Sequence, residues 1–97
     1  MDGLIRIEKL MSLSVAEFQA SLAPLAGAAL TAGQTSAGIA VEGGTVEIVY
    51  EPRPSVTYGG LLVMPRALVS LTFKDVPDAG RKAFLRRFDI AFQRGGG

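Results

Sequence analysis

The sequence predicts an α+β fold. It forms a single domain with a mostly antiparallel sheet of four to five strands and two helices packed on one face. Three observations carry this reading. In Ala67-Leu-Val-Ser-Leu-Thr-Phe73, Ala67, Val69, Leu71 and Phe73 alternate with Leu68, Ser70 and Thr72. Successive strand side chains point to opposite faces, so this segment has one buried face and one wetter face. Downstream, Phe84, Leu85, Phe88, Ala91 and Phe92 fall at i, i+1, i+4, i+7 and i+8. That spacing is one apolar stripe of a 3.6-residue period. Third, Gly43-Gly44 separates two β-rich runs, Ile39 to Val41 and Val46 to Tyr50. Tight hairpin turns need positive φ, which glycine supplies.

The predicted order is β-α-β-β-β-β-α. The first strand is Leu4 to Leu10, where Ile5 and Ile7 oppose Arg6 and Glu8. Ser14-Val-Ala-Glu17 is a capping box: the Ser14 hydroxyl accepts the Glu17 N–H, and the Glu17 carboxylate reaches back to the Ser14 N–H. Leu13 and Phe18 stand where a hydrophobic staple belongs. Pro24 removes a helical hydrogen bond, so the predicted helix runs from Val15 to Leu22. Residues 26–38 are small and almost uncharged. They are too small-sided to build core and read as a surface connection, with a ligand-closing loop as the functional alternative.

After the hairpin, Glu51-Pro-Arg-Pro-Ser55 reads as a stiff extended linker, because both prolines fix φ. Val56 to Met64 is strand-like, and Gly59-Gly60 marks a bulge or bend within it. Met64-Pro65 turns into the final strand. Asp75-Val-Pro-Asp78 starts the second helix, with the aspartates as caps and Pro77 in the first turn. That helix ends near Arg94. The domain therefore spans 1–94, and Gly95 to Gly97 form a flexible tail.

Composition limits the chemistry. The 48% hydrophobic content and mean hydropathy of +0.33 argue against disorder. No apolar run approaches the roughly 18–20 residues of a membrane span. The first residues mix charges too early for a secretory signal. There is no Cys and no His. Thiol nucleophiles, thiolate metal sites and the commonest neutral-pH general base are therefore missing. No phosphate-loop, dinucleotide or EF-hand spacing occurs. Glu42, Glu47 and Glu51 on the hairpin read as a solvated edge, and Lys9, Lys74 and Lys82 read as surface lysines. The expectation is a non-enzyme with no catalytic residue, metal or cofactor.

Charge is uneven. Residues 1–51 carry two Lys/Arg against six Asp/Glu, a net of −4, whereas residues 52–97 carry eight against three, a net of +5. Such asymmetry suits self-complementary association or a basic binding face. On the second helix, Lys82, Arg86, Arg87 and Arg94 lie opposite or beside the Phe stripe, with Ile90 among them. These five are the candidate partner-binding residues. The functional expectation is a cytoplasmic binding or assembly module, homodimeric through a sheet face or edge, with a protein partner or a second copy. The alternative is a phosphate- or RNA-contacting domain using the same basic helix face and Arg81.

Overall fold

The computed structural model describes residues 3–93. Its elements are β1 (Leu4–Met11), α1 (Val15–Ala26), β2 (Ser36–Val41), β3 (Gly44–Tyr58), β4 (Leu62–Lys74) and α2 (Asp78–Gln93). The predicted α+β class holds. One antiparallel sheet has the order β1-β4-β3-β2, and both helices lie on one of its faces. Arg94 and the Gly95 to Gly97 tail lie outside the described residues.

Register explains the core. Ile48 pairs with Leu71, which pairs with Ile7; Val46 pairs with Phe73, and Tyr50 with Val69. Opposed residues share a face, so these side chains all point toward the helices. Val46, Ile48, Ala67, Val69 and Leu71 are fully buried. Phe84, Phe88 and Phe92 of α2 close over them and are equally buried. The Phe88 and Phe92 rings stack at 4.1 Å, and Phe73 meets Phe84 edge-on at 5.9 Å. Each large side chain buried this way contributes about 1.5–3 kcal/mol. At one end of α2, Gly80 packs on Glu42 and Val76. Toward the other, Asp89 pairs with Lys9 of β1 at 3.6 Å. The helix thus crosses the sheet from the β2–β3 turn to β1.

The capping box forms as the sequence predicts: Ser14 Oγ accepts from Glu17 N–H at 3.2 Å and Glu17 Oε1 from Ser14 N–H at 2.8 Å. The helix, however, continues past Leu22 to Ala26 with Pro24 inside it. Pro24 forfeits only one hydrogen bond near the helix end, and its fixed φ is already helical. Gly27 then ends the helix at φ +78°, donating its N–H to the Ala23 carbonyl at 2.9 Å. The connection shrinks to residues 27–35, and two glutamines fasten it. Gln19 Nε2 donates to the Thr31 and Gln34 carbonyls, and Gln34 Nε2 to the Ser36 carbonyl.

The tight hairpin is displaced by one residue from its predicted turn. Val41 pairs with Gly44, so Glu42 and Gly43 make the turn and Gly43 supplies φ +82°. Gly44 begins β3 for a different reason. A Cβ there would collide with the Lys74 carbonyl oxygen and with Asp75. Asp75 is not a cap: it turns the chain at φ +59°, a conformation aspartate tolerates better than most residues. Pro77 precedes the helix, and its carbonyl accepts the Arg81 N–H at 2.9 Å.

The largest difference from the sequence reading is at 51–66. The predicted linker and fifth strand do not exist as separate elements. β3 runs through Pro52 and Pro54, and β4 runs through Pro65. Four strands result. The prolines are tolerated because β2 pairs β3 only as far as Val49, and β1 pairs β4 only as far as Ala67. Beyond those points both strands are edges, where a missing N–H breaks no ladder. The two strands continue as a free ribbon. Its turn is Gly59-Gly60, with φ +60° and +74°, and the Leu61 N–H donates to the Tyr58 carbonyl at 3.2 Å. The ribbon makes the molecule 49 Å long against 24 and 20 Å across. The radius of gyration, 14.1 Å, exceeds the roughly 12–13 Å usual for this length.

Candidate interaction surface

The ribbon contains a bulge. Arg53 pairs with Arg66 and Val56 with Met64, so Pro54 and Ser55 oppose Pro65 alone. One extra residue in a strand of side-chain period two reverses its faces. In the body of the sheet, even-numbered residues of β3 (Val46, Ile48, Tyr50) point toward the helices. Past the bulge, Val56 and Tyr58 share a face with their partners Met64 and Leu62. Those are even-numbered β4 residues, in phase with Leu68 and Ser70 on the helix-free face.

The helix-free face therefore runs unbroken from the sheet onto the ribbon. Its rows follow from the pairing: Leu4, Lys74 and Thr45; Arg6, Thr72 and Glu47; Glu8, Ser70 and Val49; Leu10, Leu68 and Glu51; then Arg66 with Arg53, Met64 with Val56 and Leu62 with Tyr58. No helix lies over it. Leu10 is 57% exposed, Tyr58 55%, Leu62 55%, and Leu61 at the tip 94%. Val63, on the opposite side of the ribbon, is 60% exposed. The ribbon thus exposes several apolar side chains with no helix over them.

The charges on this face are unevenly partnered. Glu8 pairs with Arg6 at 3.0 Å, and Glu51 with Arg53 at 3.2 Å. Among the described residues, neither Arg66 nor Glu47 has an ion-pair partner. The Arg66 Nε is buried and makes no hydrogen bond.

The residues singled out from sequence lie elsewhere. Lys82, Arg86 and Ile90 are exposed along one line of α2. Arg87 turns aside: its guanidinium lies 5.5 Å from the Phe84 ring centre. With Ile90 and Ala91 it borders a groove of about 530 Å³ against Ala20, Ser21, Pro24 and Leu25 of α1. Arg81 pairs with Asp78 at 2.7 Å. Arg94 is outside the described residues.

The hairpin carboxylates do not converge. Glu42 sits in the turn against Gly80, and Glu47 and Glu51 are four residues apart along β3. Among the described residues no cluster of three or more Asp or Glu could hold a metal ion. No described helix is long and apolar enough to cross a membrane.

Among the described residues, Tyr50 is the one buried titratable group. Its hydroxyl donates to the Leu13 carbonyl at 3.0 Å, and its ring packs on Phe18 at 5.1 Å. Burial, and secondarily the nearby Glu17 carboxylate, push its pKa above 10.0. It ties β3 to the loop before α1 and belongs to the core.

Comparison of the chain with protein-family models, curated proteins and solved structures finds no match.

Proposed function

We propose that this chain is a binding and assembly module, not a catalyst, and that it associates with a second copy of itself. The observation that carries this reading is the uncovered ribbon, with Tyr58, Leu61, Leu62 and Val63 exposed beyond the helix layer. Side chains of this kind gain free energy when another surface excludes water from them. The same strands place both signs of charge on that side of the sheet, which suits self-recognition. A cytoplasmic setting fits a chain without cysteine. Sedimentation equilibrium from about 1 to 100 µM tests the proposal. A concentration-dependent dimer is the expected result, and a strict monomer throughout overturns it.

A second reading rests on α2. Lys82 and Arg86 are exposed, and no described carboxylate pairs with them. Together with Arg87 they offer a cationic strip for phosphate or RNA. Anisotropy titration of a single-stranded RNA at two salt concentrations separates the readings. Phosphate contacts weaken steeply with salt, and no binding at 50 mM salt ends this alternative.

A further inference from the structure

The outer edge of β2 is an open ladder that no described strand closes. Thr35, just before β2, accepts the Tyr50 N–H through its carbonyl at 2.8 Å. Backbone groups alternate sides along a strand, so Ala37, Ile39 and Val41 also turn theirs toward β3. Ser36, Gly38 and Ala40 turn theirs outward. Among the described residues, the Ser36 carbonyl alone finds a partner on that side, Gln34 Nε2 at 2.7 Å. Gly38 and Ala40 are exposed.

The other free edges of this sheet are guarded. β1 carries Arg6, Glu8 and Lys9, and the ribbon carries Pro52, Pro54 and Pro65. Charge and proline keep a foreign strand off an edge. β2, Ser-Ala-Gly-Ile-Ala-Val, has neither, and its register with β3 runs without a bulge. Gly38 adds a second observation. A glycine inside a strand weakens it and often marks the approach of another backbone. Nothing within one chain requires this one: its φ is not positive, and a Cβ there would meet nothing within 4 Å.

We infer that β2 pairs antiparallel with β2 of a second copy across a two-fold axis at Gly38, joining two four-stranded sheets into one. This goes beyond the ribbon contact proposed above and does not rest on it. The free groups recur at every second residue, a spacing that an extended strand matches. A copy of β2 matches it in both senses. With the axis at Gly38, Gly38 faces its own copy and Ser36 faces Ala40, so each outward N–H meets an outward carbonyl. The Ser36 carbonyl keeps a second lone pair beside its bond to Gln34. A two-fold contact joins a patch to itself, and an uncharged strand brings no like charges to its copy. The one residue that must meet itself is the one without a side chain. On the helix side, Ala37 comes beside Ile39 of the other copy. Both are only partly buried at the border of the core, and the pairing covers them. The joint is small. One six-residue edge falls short of the roughly 800 Å² per partner of a standard interface, so association is expected in the upper micromolar range.

The test uses the full chain carrying Leu62→Glu, which removes the ribbon contact, with backbone amide exchange read by NMR from about 20 µM to about 1 mM. The Gly38 and Ala40 amides are expected to exchange freely at the low end and to slow at least 3-fold at the high end. The Ala37 and Ile39 amides, bonded to β3, are expected to be protected throughout. Ala40→Pro removes an outward N–H and spares the β3 ladder, so it is expected to weaken the association at least 10-fold. Circular dichroism verifies its fold. Gly38→Lys is the second variant: it has open space in one chain but puts like charges together at the axis, and its effect is expected to fade as salt rises. Gly38 and Ala40 amides that stay fast at 1 mM, or a folded variant that associates like its parent, overturn the joint and leave the ribbon reading as it stands. Slowing of these amides only by an added Thr/Val-rich peptide, with the chain itself monomeric, gives the edge to a foreign strand and overturns the second copy.

Discussion

The body of the sheet and the ribbon are made from the same two strands, β3 and β4, yet they differ in what holds them. In the body, each strand has a neighbour on both sides and two helices on one face, and Val46, Ile48, Val69 and Leu71 are wholly shielded from water. In the ribbon, the strands have only each other, and Leu61, Leu62, Val63 and Tyr58 are largely exposed. Both regions carry apolar side chains; the number of covering layers differs. A two-stranded hairpin alone is marginal in water. The ribbon therefore draws its order from continuity with the body.

This contrast can be broken most forcefully from the body. Phe88→Ala is expected to cost about 3–5 kcal/mol in urea unfolding, because it leaves a cavity at the centre of the helix–sheet seam. Gly44→Ala comes next. Its Cβ meets the Lys74 carbonyl and the Asp75 backbone, so a loss of about 1–3 kcal/mol is expected from forced displacement. A loss within error would mean that the turn between β4 and α2 yields freely. Tyr50→Phe is expected to cost about 1–3 kcal/mol, since it strands the Leu13 carbonyl. It also has a pH signature. The folded chain holds the Tyr50 proton more tightly than the unfolded chain, so stability from this group is complete below about 10 and falls as pH rises through the raised folded value. Thermal unfolding between pH 8 and 11 should show that decline in the wild type and a smaller one in Tyr50→Phe. The smallest effect belongs to the ribbon. Leu62→Ser should alter monomer stability by no more than about 0.5 kcal/mol, while weakening self-association. A large loss of monomer stability would make the ribbon part of the core.

Much of the body is legible in the sequence because its signals are local. Ser14 and Glu17 define the start of α1, and the Phe84, Phe88 and Phe92 spacing defines the buried side of α2. The ribbon is not legible, for a physical reason. Pro52, Pro54 and Pro65 argue against strand only where both sides of a strand are paired. Whether they are paired depends on where β1 and β2 stop, which is set by contacts distant in sequence. Gly59-Gly60 has the same ambiguity. A glycine pair inside a β-rich run bends one strand or joins two, and only the partner's register decides. The exposed line of Lys82, Arg86 and Ile90 was readable from helical periodicity. A helix-free sheet face follows from two helices packed on one side, but the exposure of Leu62 and Val63 on the ribbon does not, because it depends on how far the helices extend over the sheet.

The extra residue at Pro54 and Ser55 carries one more consequence. Losing a single codon there would leave nearly every side chain of the ribbon in place chemically. It would remove the bulge, yet Val56 and Tyr58 would keep Met64 and Leu62 as partners and so keep their face. The extra residue therefore sets the local bend and twist of one strand, while the pairing across the ribbon sets which side chains share a face.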